Sequence, residues 1–328
     1  MNHAWDCVEV VTAARLHLGF YNSYNPRTGT AYGSVGVAIE KPRLRVRLCK
    51  RGANNIPHDL LKEAEFLRAR GMLAESIGVL VDEYIPRHVG FGSTTQTLLS
   101  LGLASSLLED RYPSIYELAL RLGRGFVSGI GIESFRRGGL IVDSGRPAIG
   151  GVVEPPRRVE DLPRAIARIE VSPKICFIVI TPRAVTGLPE SPSERQILRA
   201  PRPLPKALGA RLAEAVRDLL ISGIRGDAEA FGEAVTILDE ASGTMFSDAQ
   251  GSTYCCGEVA AGISALRRAG ALGWGQSSWG PTFYGVQWCD EAEKVLEKAM
   301  KLLKNYGVKA DGFVTRVRNS GAKIRVCK

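Results

Sequence analysis

Histidine is scarce in this chain: four in 328 residues, with no HExxH pair and no clustered ligand set. That gives no basis for a catalytic or structural zinc site. A magnesium ion carried on substrate phosphates needs no such signature. The seven cysteines (Cys7, Cys49, Cys176, Cys255, Cys256, Cys289 and Cys327) are odd in number and contain no CxxC pair. They are expected to be reduced thiols rather than a disulfide framework. No apolar run approaches the ~18–20 residues that span a bilayer. The N-terminal MNHAWDCVEV lacks a basic segment followed by an apolar one, so no secretion signal is read there and the expected location is the cytoplasm. Aromatic residues make up only 7% of the chain, no long run of Lys or Arg occurs, and no RNP-type string is present. The surplus of 43 Lys and Arg over 34 Asp and Glu, a net +9, therefore fits a polyanionic small substrate better than nucleic acid.

What is present is enough apolar residue, 45%, to bury a sizeable core. Length suggests two domains, with the Pro-rich, charged EPPRRVEDLP (154–163) at their edge: 1–154 and 155–328. CVEVVTA, AYGSVGVAIE and RLRVRLCK read as strands, the last with one wet, Arg-bearing face. Helices are expected over 57–70, 93–110, 114–123, 206–221, 227–241, 253–269 and 290–306. GVLVDEYIP, GLIVDSG and ICFIVITP read as strands, and FVTRVRNSGAKIRV as strand, turn and strand. Strands and helices mix without strict βαβ alternation, so the fold class is α+β. A stretch with five prolines, 186–205, reads as a binding loop or lid, or as a disordered segment.

Three segments carry candidate chemistry. In IPRHVGFGSTTQTLLS (85–100), Gly90 and Gly92 bracket a turn and Ser93, Thr94 and Thr95 open a helix. Free first-turn amides and the positive helix end suit a phosphate. Neither a Walker loop nor a Rossmann fingerprint is present, and a plain Ser-capped turn has the same pattern. LGWGQSSWGPTFYGV (272–286) is too rich in glycine for a helix, so it reads as a loop with a helix starting near Pro281. In TAARLHLGF (12–20), Arg15 and His17 fall on one side of a strand. An arginine there can grip a phosphate or carboxylate in a fork, and spacing alone leaves His17 readable as a buried core histidine.

The order ARLHLGF, HVGFGSTTQ, SGIGIESFRRGG and GQSSWGPT, with RNSGAKI at the end, resembles the GHMP kinase superfamily. Within it the chain is similar to the β-ribofuranosylaminobenzene 5′-phosphate synthases of methanopterin biosynthesis; FGEAV (231–235) and QGS (250–252) agree. The resemblance implies a two-domain GHMP fold, with a ribosomal-protein-like N-terminal α+β domain, a ferredoxin-like C-terminal domain and the active site between them. It implies a homodimer, Mg²⁺, and condensation of phosphoribosyl pyrophosphate with 4-aminobenzoate or 4-hydroxybenzoate, releasing pyrophosphate and carbon dioxide.

Carried onto this chain, the resemblance makes Arg15 and His17 the catalytic candidates. His88, Gly90, Gly92, Ser93, Thr94, Thr95 and Gln96 would bind pyrophosphate, with Ser93 and Asp143 as metal candidates, although Asp143 reads more simply as a strand end. Ser128, Arg136, Arg137, Gln276, Ser277, Ser278 and Thr282 would bind substrate, the two arginines being readable also as solvent-facing. The GHMP small-molecule kinases carry an Asp, after Ser-Gly-x, that activates the acceptor hydroxyl; here Gly131 holds that place and Glu133 follows two residues on. An ATP-dependent kinase is therefore the alternative reading, and an RNA-binding module a distant third.

Overall fold

The computed structural model describes residues 5–183, 185 and 198–327. Most of the proline-rich stretch 186–205 lies outside the described residues. Two antiparallel sheets carry the chain. The first is built on two long strands, β1 (Cys7–Asn25) and β2 (Thr30–Cys49), paired along nearly their whole length. β3 (Gly78–Glu83), β4 (Leu140–Asp143) and β5 (Arg146–Pro147) pair with β2, and β6 (Ala165–Ile169) with β4. The second sheet has the order β10-β7-β9-β8, from β7 (Ile175–Pro182), β8 (Gly273–Gln276), β9 (Phe283–Trp288) and β10 (Ala310–Arg316). The chain then returns to the first sheet, where β11 (Lys323–Cys327) pairs with β1. Residues on both sides of position 154 thus share the first sheet.

The local sequence explains these elements. In RLRVRL, Leu44, Val46 and Leu48 are fully buried, while Arg43, Arg45 and Arg47 turn outward to Glu83 and Glu9. Helix α1 (Leu61–Ala69) packs Ala64 and Leu67 into the same core. Helix α2 (Ser93–Leu108) is buried almost all round, which accounts for its lack of a polar stripe. It lies against β1 and β2 and is followed by α3 (Ile115–Arg121) and α4 (Ile130–Arg136). In the second half, α5 (Lys206–Arg225) and α6 (Ala228–Met245) pack together, and α6 also touches β1 and β8. A short α7 (Ser247–Gln250) follows, and α8 (Gly257–Ala269) and α9 (Ala292–Asn305) cover the second sheet.

Two expectations fail. Four of the seven cysteines are not free thiols: Cys7 is bonded to Cys49 and Cys176 to Cys289. Cys7 and Cys49 are facing partners across β1 and β2, a relation fixed by strand register and invisible in spacing. No helix starts at Pro281. Ser278 and Gly280 take left-handed backbone angles, the chain reverses, and β8 and β9 form a hairpin in which Gln276 faces Phe283. The strand residues Gly273–Gln276 were masked by their glycines, which add no β-propensity. Among the described residues no helix is long and apolar enough to cross a membrane.

Candidate active site

The loop after β3 enters α2 through Gly92, whose φ of +70° is a left-handed turn that favours glycine. No side chain caps the helix, so its first-turn amides are left for another acceptor. Arg15 reaches over from β1, donates to the carbonyl of Gly90 and lies against Gly92, where an added Cβ would stand 3.0 Å from its Nε. The Gly90 carbonyl also accepts from Ser277 Oγ at 2.7 Å, and Ser277 Oγ in turn accepts the His17 amide at 3.0 Å. The Thr282 amide donates to Val89 at 3.2 Å. The β8–β9 hairpin thereby holds the Gly90–Gly92 loop from the other sheet.

A cavity opens above this loop. Arg15, His17, His88, Gly90, Gly92, Ser93, Thr94 and Thr95 line one end together with Arg124, Ser128 and Gly131. Arg124 donates to Thr95 Oγ1 at 3.0 Å, which sets a second guanidinium beside the helix start. The other end is walled by Phe20, Phe246 and Trp279, whose rings follow one another edge to face at 5.4 and 5.5 Å between centroids. Asp239, Ser242, Gln250, Gln276 and Ser278 supply its polar atoms. β1 runs past both ends. Arg15 touches the anion loop, and Gly19 fits so closely against α6 that a Cβ there would stand 2.6 Å from the Leu238 carbonyl.

His17 sits between the two ends, buried, with no partner for Nε2. Burial, aided by the Arg15 charge, lowers its pKa to about 3, so it is a neutral imidazole at any working pH. The unfolded chain takes up this proton near pH 6.5 and the native state does not. Stability contributed by neutral His17 should therefore be complete above 6.5 and lost as pH falls from there towards 3. Equilibrium denaturation between pH 7 and 4 should show that slope, and His17→Gln should remove its share.

Not every predicted residue faces the cavity. Gln96 is fully buried and spent: its Oε1 accepts Thr12 Oγ1 at 2.6 Å and its Nε2 donates to Gly131 at 2.8 Å. Ser277 and Thr282 are buried ties, the latter to Thr181 at 2.8 Å, and contact the loop rather than the cavity. Arg136 is exposed beside Glu133, and Arg137 is exposed, so both take the solvent-facing reading. Asp143 is fully buried and accepts five hydrogen bonds, from the amides of Ser34, Gly129 and Gly145 and the hydroxyls of Ser34 and Ser128. It has no capacity left for a metal and clamps the turn before α4. Glu133 takes the Tyr116 hydroxyl and Arg136, away from the cavity, so it cannot replace the carboxylate missing at 131. Trp274 lies under Arg267, outside the cavity.

Sequence reading missed Arg124, Phe20, Phe246 and Asp239. Arg124 had a signal, an arginine between two glycines just before the Ser-Gly segment. Asp239 had none, being one acid in an ordinary helical run. Among the described residues, no group of three His, Cys, Asp or Glu could hold a metal. A magnesium ion carried on a diphosphate and met by the Ser93 hydroxyl fits this donor set; a protein-built cage does not.

No protein-family model matches the chain. It is 31% identical over 308 residues to a β-ribofuranosylphenol 5′-phosphate synthase of Methanothermobacter thermautotrophicus, covering 84% of this chain and 87% of that one. A relative with the same name from Archaeoglobus fulgidus is 27% identical, covering 96% and 98%. Among solved structures, homoserine kinase from Cytophaga hutchinsonii superposes with a TM-score of 0.63 at 16% identity over 99% of both chains. Mevalonate diphosphate decarboxylase from Staphylococcus aureus gives 0.61 at 15% identity over 98% of both. These structures share the GHMP kinase fold with the chain. On this fold, and on sequence likeness over most of its length, the chain belongs to the β-ribofuranosylphenol 5′-phosphate synthase family of pentosyltransferases.

Proposed function

We propose that the cavity transfers the ribosyl 5-phosphate group of phosphoribosyl pyrophosphate to the carboxyl-bearing carbon of 4-hydroxybenzoate, releasing pyrophosphate and carbon dioxide, as a cytoplasmic step of methanopterin synthesis. The observation that carries this reading is the pairing of two unlike ends in one cavity: uncapped amides with Arg15 and Arg124 at one, three aromatic walls at the other. The relatives' name speaks of a phenol, which favours the hydroxy acceptor over 4-aminobenzoate.

The chemistry follows from charge. Breaking the bond to pyrophosphate builds negative charge on the leaving oxygens, where the α2 amides and Arg15 stand ready. Magnesium on the diphosphate, with Ser93 as the protein's ligand, would supply further neutralisation. Neutral His17 puts no positive charge beside the developing sugar cation. Phe20, Phe246 and Trp279 hold the ring and keep out water, which would otherwise capture that cation. The kinase alternative lacks a helper for its acceptor hydroxyl, because position 131 is glycine and Glu133 is turned away.

Purified protein given Mg²⁺, phosphoribosyl pyrophosphate and 4-hydroxybenzoate should form the aryl riboside 5′-phosphate, identified by mass. Ser93→Ala with Thr94→Ala should raise the KM for the sugar donor about tenfold, a loss of roughly 1.4 kcal/mol from two hydroxyl contacts. Formation of ADP from ATP and an acceptor alcohol, with no riboside, would refute the reading.

A further inference from the structure

Two nucleophilic side chains that the chemistry above does not use touch each other. Cys255 and Cys256 are consecutive residues just before α8, both half-buried, and their sulfurs stand 3.2 Å apart. Consecutive side chains of an extended chain point to opposite sides. Cys256 is extended, with φ −164° and ψ 166°, so the contact arises from the bend at Cys255. The β8–β9 hairpin holds that bend. The Cys255 amide donates to Gln276 Oε1 at 2.8 Å, and Gln276 Nε2 donates to the Ser278 carbonyl at 2.9 Å. The Cys255 sulfur rests on the turn itself, where a Cβ added to Gly280 would stand 2.6 Å from it. The other free thiol among the described residues, Cys327, belongs to β11 at the edge of the first sheet.

We propose that Cys255 and Cys256 form a peroxide-sensitive modification site: oxidation joins them as a vicinal disulfide, and that bond loosens the 276–282 turn from the Gly90–Gly92 loop. The site stands apart from the ribosyl-transfer reading, and neither depends on the other.

Cys256 reacts first. Burial, with the adjoining Cys256 thiol, raises the Cys255 pKa above that of an ordinary thiol, so Cys255 keeps its proton. The Cys256 thiolate attacks one oxygen of hydrogen peroxide. The oxygen–oxygen bond breaks, hydroxide leaves with the electron pair and takes up the proton that Cys256 gave, and the sulfur is oxidised to a sulfenic acid. The Cys255 sulfur then attacks the Cys256 sulfur. A second hydroxide departs and collects the Cys255 proton. Two thiols and one peroxide thus become one disulfide and two waters. A small dithiol reverses the bond by exchange.

The consequence follows from what the pair touches. Bonding draws the sulfurs from 3.2 Å to ~2.05 Å, a movement of about 1 Å. It also closes a small ring through the 255–256 peptide, which turns the Cys255 amide. Both partners of that movement, Gln276 and Gly280, belong to the turn and line the cavity. The same turn carries Ser277, which donates to the Gly90 carbonyl, and Thr282, whose amide donates to Val89. A change at the two sulfurs therefore reaches the loop that enters α2.

The full chain should be treated with hydrogen peroxide at a small molar excess, denatured, alkylated and digested. The peptide holding Cys255 and Cys256 should take up no alkyl group and weigh two hydrogens less than its reduced form, while Cys327 is alkylated. Dithiothreitol should restore two alkylatable thiols. Hydrogen exchange of the 276–282 amides should speed up about tenfold on oxidation and return to its starting rate with dithiothreitol. Cys256→Ser, given the same dose, should show neither the cross-link nor the faster exchange. The return with dithiothreitol gives the same answer in wild type should that variant fail to fold. Two alkylated thiols after peroxide, separate sulfinic acids, or a bond to a second chain would overturn the site. A cross-link that leaves exchange in the turn unchanged would overturn its coupling to the hairpin.

Discussion

Arg15→Gln is expected to lower kcat/KM by about 10²–10³-fold, the usual loss when one preorganised donor to a developing negative charge is removed. Arg15 acts twice. Its guanidinium fixes the Gly90 carbonyl and lies on Gly92, so it sets the shape of the turn that aims the α2 amides. It also brings a cation to the end of the cavity where pyrophosphate would leave. Glutamine retains a donor for Gly90 but neither the charge nor the fork. Arg15→Lys should recover only part of the activity, because an ammonium cannot bridge carbonyl and phosphate in one plane. Steady-state kinetics on folded protein checks both. A drop of less than about fivefold in the glutamine variant would mean that Arg15 supports the loop without meeting the substrate.

Asp143→Ala is expected to cost stability more than any other single change in the first sheet. Removing the carboxyl strands three buried amides, those of Ser34, Gly129 and Gly145, and frees two hydroxyls. Each orphaned buried donor costs ~1–3 kcal/mol, and entry of water recovers part of it, so a net loss of roughly 3–5 kcal/mol is expected. At ~1.5 °C per kcal/mol for a chain of this size, calorimetry should find Tm lower by roughly 4–7 °C. Asp143→Asn keeps one acceptor oxygen and should lose less. The same pair of variants separates a clamp from a metal ligand. Extra Mg²⁺ should restore nothing in Asp143→Ala, whereas a ligand role would show as a raised Mg²⁺ requirement at unchanged Tm.

Local patterns in the sequence carried the fold a long way. The alternation in RLRVRL, the apolar run from Leu98 to Leu108 and the glycines before Ser93 each depend on neighbours a few residues away, and each took the expected form. The glycine turn that leads into α2 was legible for the same reason. What could not be read were relations across sheets. His17 meets Ser277 through a hydrogen bond between residues 260 positions apart, and Asp239 meets Gln276 only because α6 packs on β8. The disulfides belong to the same class, since Cys7 faces Cys49 by register. Gln96 and Asp143 show the converse error. Both stand among residues typical of a phosphate site, and both have their polar atoms consumed by the scaffold.

The most direct measurement uses 4-hydroxybenzoate labelled in its carboxyl carbon, together with phosphoribosyl pyrophosphate and Mg²⁺. Labelled carbon dioxide and pyrophosphate should appear in equal amounts, at the same rate as an aryl riboside 5′-phosphate that has lost the label. Pyrophosphate released with the label still on the aromatic product, or turnover seen only with ATP, would contradict a cavity built to join a sugar to a ring carbon.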